Sequence, residues 1–182
     1  IDNMVIELPA RDSVSRESLS ADPAADDKLT GSASDDQLTG SASDDNLTVS
    51  CSRFITPAWI DALFRLKNTT NIMHKTVVPS MYQAIPKETF CISLHSDNKI
   101  FGTGLGILDR DYIGVYAIHV HPELRRKGYA RKIVGRILHE GYLHGASYGY
   151  LQVLSGNEPA ISLYRSMGFV SLYKDWFRLK MQ

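Results

Sequence analysis

The residues that stand out chemically are Arg125, Arg126, Lys127, Gly128, Tyr129, Ala130 and Arg131. Consecutive cations, a glycine and a small residue open a helical pattern, directly after an apolar strand pattern that ends at Val120 and is broken by Pro122. The first backbone N–H groups of a helix lack intrahelical partners, and with the helix dipole they form a socket for an anion. A glycine lets backbone approach oxygen atoms that a Cβ would obstruct. Arginines add charge-assisted donors suited to phosphate oxygens. The combination is a cradle for a pyrophosphate.

A second group lies downstream. Gly156-Asn157-Glu158-Pro159-Ala160-Ile161-Ser162-Leu163-Tyr164-Arg165-Ser166-Met167-Gly168-Phe169 reads as a short helix, capped by Asn157 and stopped by Gly168. It carries Tyr164, a phenol able to give up a proton, although an apolar helix face offers the same side chain a packing role. Between the two groups stands Gln152, in the run Tyr150-Leu151-Gln152-Val153. His119 and His121, two apart on one strand, share a face and titrate near neutrality. Each also reads as a structural or exposed histidine. No C-x-x-C or H-E-x-x-H spacing and no G-x-S-x-G elbow occurs, so no metal and no acyl-enzyme are expected.

These groups need elements to hold them. Leu47 to Cys51 alternates as a strand. Pro57 to Leu66 has helical periodicity, with Thr56 as its cap. A loop through Val77, Val78 and Pro79 leads to strands at 89–94, 101–108 and 112–120, an antiparallel meander. The clearest helix has Ala130, Ile133, Val134, Ile137, Leu138 and Gly141 on one stripe. Tyr148 to Leu154 reads as a strand, Glu158 to Met167 as a helix, and Phe169 to Met181 as closing strands. The expected class is α/β, one mixed sheet with helices on both faces.

Arg125-x-x-Gly128-x-Ala130 resembles the R/Q-x-x-G-x-G/A motif of the GNAT acetyltransferases, and the segment 156–169 resembles their N-x-x-A-x-x-L-Y-x-x-x-G-F signature. Similarity is clear over about 90–179 and weaker back to Asn46. It implies the GNAT-type fold, a mostly antiparallel sheet, and transfer of acetyl from acetyl-CoA to a small-molecule or peptide amine. By resemblance, backbone groups of Ile118, His119 and Val120 would pair with the pantetheine arm. Residues 125–131 would hold the pyrophosphate, Asn157 would touch the cofactor near the thioester, and Tyr164 would be the general acid. Many relatives carry a glutamate base where this chain has Gln152, which cannot accept a proton at neutral pH. Attack by an amine deprotonated through water is the expected route, with His119 or His121 as alternative bases. A non-catalytic acyl-CoA-binding domain is the competing reading. The family also implies a homodimer, and the runs 150–153 and 172–178 resemble a bacterial subgroup in which this domain follows another GNAT-like half.

The 182 residues balance 20 Lys and Arg against 20 Asp and Glu, which gives no basic footprint for nucleic acid. No apolar run approaches the roughly 20 residues of a membrane span, and nothing in the first residues reads as a signal peptide. Two cysteines, Cys51 and Cys91, fit a reducing cytoplasm. Residues 1–45 are expected to be a flexible acidic segment, a remnant of a preceding domain since the chain opens with Ile1, and 46–182 the transferase domain. Within that segment DDKLTGSAS repeats as DDQLTGSAS. Its phase GSASDDQLT resembles a calcium-binding nonapeptide, but Ser32 and Ser34 replace turn glycines and the copies are too few to stack.

Overall fold

The computed structural model describes residues 1–9, 47–97 and 99–176, so the nine-residue repeats and the stretch 177–181 of the expected closing strands lie outside it. Three long strands form the meander: β3 (Glu88–Ser96), β4 (Lys99–Asp109) and β5 (Tyr112–Val120). Before them come β1 (Asp2–Glu7), β2 (Thr48–Ser52), α1 (Pro57–Leu66) and α2 (Ile72–Gln83). After them come a 3-10 turn (Pro122–Leu124), α3 (Tyr129–Leu143), β6 (Tyr148–Val153), α4 (Glu158–Ser166) and β7 (Val170–Lys174). The seven strands make one sheet in the order β2-β3-β4-β5-β6-β1-β7. Only β5 and β6 run parallel, because α3 is the crossover between them.

The strand period divides the core between the two faces. Phe90, Ile92 and Leu94 of β3 join Ile133, Val134 and Ile137 of α3 on one side, while Cys91 and Leu105 meet Trp59, Ile60 and Leu63 of α1 on the other. Each fully buried isoleucine of α3 contributes about 1.5–3 kcal/mol. Thr56 caps α1 as expected, accepting from Trp59 N at 3.2 Å, and the Trp59 indole donates to Ile92 O at 3.1 Å. The α3 helix sits unusually near the sheet. A Cβ at Gly104 would lie 2.4 Å from Ile133 Cγ2, and one at Gly141 would lie 2.5 Å from Ile113 Cβ.

Two expectations need correction. The division at residue 45 cuts off Asp2–Glu7, which is not an outlying segment but an inner strand, antiparallel to both β6 and β7. Its Met4 is fully buried and its Ile6 packs against the same core, so its apolar residues are spent in the sheet. The expected loop at Val77 to Pro79 is part of α2, capped by Asn71, whose side chain accepts from Met73 N at 2.9 Å. None of the α2 residues is fully buried, so no apolar stripe announces the helix, and Pro79 lies inside it. No helix among the described residues is long and apolar enough to cross a membrane.

Candidate active site

The site begins as a fault in the sheet. On β4, Thr103 pairs with His119 and Leu105 with Tyr116, so Ala117 and Ile118 together face Gly104. That is a bulge, and Ala117 takes a left-handed φ of +52° to make it. The parallel pairing of β5 with β6 stops at Val115 opposite Leu151. Beyond it, residues 116–120 diverge from β6, and a cleft of about 1110 Å³ opens between the strands. Its walls include Ile118, His119 and Val120 from β5, Gln152 from β6, and Asn157 and Tyr164 from the α4 side.

The far end of the cleft is the turn into α3. Arg125, Arg126, Gly128, Tyr129, Ala130 and Arg131 line it, whereas Lys127 does not. Leu124 is buried as an anchor, and Arg125 Nε donates to Val120 O at 3.2 Å, tying the loop to the strand end. Arg126 at φ +65° and Gly128 at φ +83° turn the backbone through left-handed conformations, and Gly128 becomes the N-cap of α3. A Cβ at Gly128 would meet nothing within 4 Å, so its surroundings are open space bounded by helix N–H groups and arginines. These features fit a pyrophosphate. Arg131 has another attachment: its guanidinium donates to Ser166 O and Oγ, joining the start of α3 to the end of α4.

Tyr164 is 8% exposed, stacked edge-on to Phe169 at 5.8 Å, and its hydroxyl has no hydrogen-bond partner among the described residues. Burial raises its pKa, so the phenol stays protonated at neutral pH. His119 is shifted down, first by burial and then by Lys67 and Arg125, which favours the neutral ring. His121 stands apart from the cleft lining and packs edge-on against Phe101 at 6.0 Å. Asn157 caps α4 by accepting from Ala160 N at 3.4 Å.

One residue of the site carried no signal. Asn3, 0% exposed, accepts from Tyr150 OH at 3.1 Å and from Gln152 Nε2 at 2.9 Å. Its Nδ2 donates to Asp175 Oδ2 at 3.0 Å. Gln152 therefore acts as a donor to β1, which leaves its Oε1 as an acceptor for the cleft. Only tertiary pairing with Gln152 and Tyr173 gives Asn3 a role.

Several known proteins are similar. A mycothiol acetyltransferase from Thermobifida fusca is 36% identical over 72 residues, which is 39% of this chain and 22% of that protein. The uncharacterized N-acetyltransferase YobR from Bacillus subtilis is 26% identical over 122 residues, 67% of this chain and 49% of that protein. The chain thus spans half or less of these relatives. Among solved structures, the aminoglycoside N-acetyltransferase AAC(6')-Iy in complex with CoA has a TM-score of 0.59 at 12% identity, covering 74% of this chain and 94% of that one. The ribosomal-protein-S18-alanine N-acetyltransferase from Escherichia coli has a TM-score of 0.53 at 22% identity, covering 66% and 77%. At these identities the structures share the fold. The model of the Acetyltransferase (GNAT) family matches residues 59–169, more than half of the chain, and the chain belongs to that family.

Proposed function

We propose that this protein transfers acetyl from acetyl-CoA to a primary amine by direct attack in a ternary complex. The observation that carries the reading is the continuous cleft from the Gly128 cradle, along the unpaired end of β5, to the protonated phenol of Tyr164. Bound acetyl-CoA would supply an acetyl group already activated as a thioester. The helix N–H groups and Arg125 and Arg126 would hold the diphosphate, and Lys127 would add positive potential from outside the lining. Backbone groups of Ile118, His119 and Val120, freed from β6 by the bulge, would align the pantetheine amides and polarise the acetyl carbonyl. Asn157 would lie beside the thioester. Arg131 is better read as fixing α4, and with it Tyr164, than as a free phosphate ligand.

The attacking nitrogen must be neutral, because an ammonium has no lone pair. Its extra proton would pass to water before attack; the C–N bond would form as the C–S bond breaks, Tyr164 Oη would give its proton to the departing sulfur, and the second proton shed by the new amide nitrogen would restore the phenol. Most acceleration would come from proximity and oriented dipoles. The free thiols Cys51 and Cys91 face opposite sides of the sheet and do not pair, which supports a cytoplasmic setting. The runs 150–153 and 172–178 support a place behind a second GNAT-like half.

Gln152 in place of a carboxylate favours a second reading, a domain that binds acyl-CoA without turnover. Tyr164→Phe keeps the ring against Phe169 and removes only the acid. Calorimetric titration with acetyl-CoA and a thiol-release assay over an amine panel separate the readings. Unchanged affinity with kcat lowered about 100- to 10,000-fold supports transfer. Micromolar binding without turnover in the wild type supports the alternative, and no binding rejects both.

A further inference from the structure

The bulge that opens the cleft is held from both faces of the sheet, and one of its holders is a polar side chain in an apolar place. Thr103 of β4 is 0% exposed. It alternates with Leu105, which meets Trp59, Ile60 and Leu63 of α1, so its side chain lies on the α1 face. A valine would fill the same space without a hydroxyl, and a buried hydroxyl costs free energy unless it is hydrogen-bonded. Here Thr103 Oγ1 donates to Ala117 O at 3.1 Å, and Ala117 is the bulge residue at φ +52°. On the other face Gly104 leaves room for the second bulge residue. A Cβ at Gly104 would lie 2.4 Å from Ile133 Cγ2 and 3.0 Å from Ile118 Cδ1. Ala117 packs with the α1 cluster and Ile118 with the α3-side core, so consecutive residues enter different cores and the extra residue has one place to sit.

The peptide joining Ala117 to Ile118 is trans and planar, so its C=O and its N–H point in opposite directions. Thr103 draws the carbonyl toward β4. The Ile118 N–H is therefore turned the other way, toward the side on which β6 no longer pairs beyond Val115. Ile118 lines the cleft there, whereas Thr103 does not. Alanine has no intrinsic preference for a left-handed φ, so a peptide plane without this tie is drawn toward ordinary extended backbone. Such a rotation swings both ends of the plane: the carbonyl oxygen moves toward the cleft and the N–H leaves it. A carbonyl oxygen in that position repels a developing oxyanion, where an N–H would stabilise it.

We propose that Thr103 is a positioning residue for acetyl transfer: by holding Ala117 O it aims the Ile118 N–H at the carbonyl oxygen of the bound acetyl group. The inference rests on the acetyl-transfer reading and adds to it a residue that never touches substrate. Charge gathers on that oxygen only in the transition state, so lost aim falls on kcat rather than on binding.

The test compares Thr103→Val, which keeps the shape and removes the hydroxyl, with Thr103→Ser, which keeps the hydroxyl. Three quantities are read: kcat and KM with the best acceptor of the amine panel, acetyl-CoA affinity by calorimetry, and the carbonyl stretch of a bound ketone analogue by isotope-edited infrared spectroscopy. The analogue is acetyl-CoA with CH2 in place of the thioester sulfur, so its carbonyl reports polarisation without turnover. Thr103→Val is expected to lower kcat roughly 10- to 100-fold, less than deletion of a donor because the N–H is misaimed rather than lost. Affinity should stay unchanged, and the stretch should return toward its value in water. Thr103→Ser should restore both. A purely structural hydroxyl would lower the melting temperature and leave kcat of the folded enzyme and the stretch unmoved, which overturns the proposal. A serine variant as slow as the valine also overturns it. If the valine variant does not fold, Thr103→Cys, a weaker donor of similar size, is read in the same way. If no amine is acetylated while the analogue binds, acetyl transfer fails and the stretch still decides Thr103: a wild-type shift lost in Thr103→Val upholds the aim, and no wild-type shift overturns it. Failure of the analogue to bind overturns both.

Discussion

The two ends of the cleft are built by opposite strategies. The cradle end comes from one contiguous stretch, Val120 to Arg131, in which a strand end, a turn and a helix start follow one another and Arg125 bonds back only five residues, to Val120 O. The Gln152 end is braced from behind by parts far apart in the chain: Asn3 reaches Tyr150 across 147 positions, Gln152 across 149 and Asp175 across 172. A local device tolerates change elsewhere and fails when its own backbone is disturbed. A long-range device fails when the sheet that gathers it is disturbed. The difference predicts which substitutions change binding and which change stability.

The sharpest break is at Gly128. A glutamate there must adopt φ +83° and projects a carboxylate into open space beside the helix N-terminus. Strain and like-charge repulsion add, so Gly128→Glu is expected to weaken acetyl-CoA binding by roughly 100-fold or more in calorimetry. Gly128→Ala carries only the conformational cost, about 1 kcal/mol. The melting temperature without cofactor should fall only slightly in both, because nothing in the fold packs against this position. A large loss of stability in the alanine variant would show that the cradle is not local after all.

The opposite behaviour is expected at Asn3. Asn3→Ala deprives the Tyr150 hydroxyl, the Gln152 amide and the Asp175 carboxylate of the one partner they share. The cost is expected at about 2–4 kcal/mol, read as a melting temperature lowered by roughly 5–15 °C. Acetyl-CoA affinity of the folded fraction should be unchanged. A variant as stable as the wild type would mean that water replaces the Asn3 amide.

The same contrast explains what was legible in the sequence. The fold and the turn into α3 were readable because their signals are local: the stripe Ile133-Val134-Ile137 and the Thr56 and Asn157 caps. The bulge at Ala117 was not, since nothing about an alanine announces a left-handed φ; the three glycines facing α3 on β4, Gly102, Gly104 and Gly106, were the available hint of close helix approach. Helix α2 was missed because it buries no stripe. Asp175 carries no local signal in the sequence. Only the β1–β7 pairing brings it beside Gln152's neighbour, and β1 had been assigned to the segment outside the domain.

The smallest effect is expected at His119, which sits in the middle of the cleft and belongs to neither device. Its folded pKa lies below the ordinary 6.5, because burial, Lys67 and Arg125 all oppose the charged ring. The sign follows: the neutral ring is the form that the fold accommodates, so its contribution to stability is complete above pH 6.5 and is lost as pH falls through the lowered folded value. A neutral imidazole at pH 7 is competent as a base, yet the water-mediated route does not need one. His119→Gln is therefore expected to change kcat/KM at pH 7 by less than about threefold, the scale of a lost accessory contact rather than a lost base. The rise of kcat/KM with pH should then follow the acceptor's own ammonium and remain in the variant. What should disappear is the part of the acid destabilisation below pH 6.5 that comes from forcing a proton onto a buried ring. If His119→Gln instead removes the acidic limb of the rate profile and lowers kcat about 100-fold, His119 is the base. The cleft would then be joined through its middle, and the separation of its two ends would hold for binding but not for proton transfer.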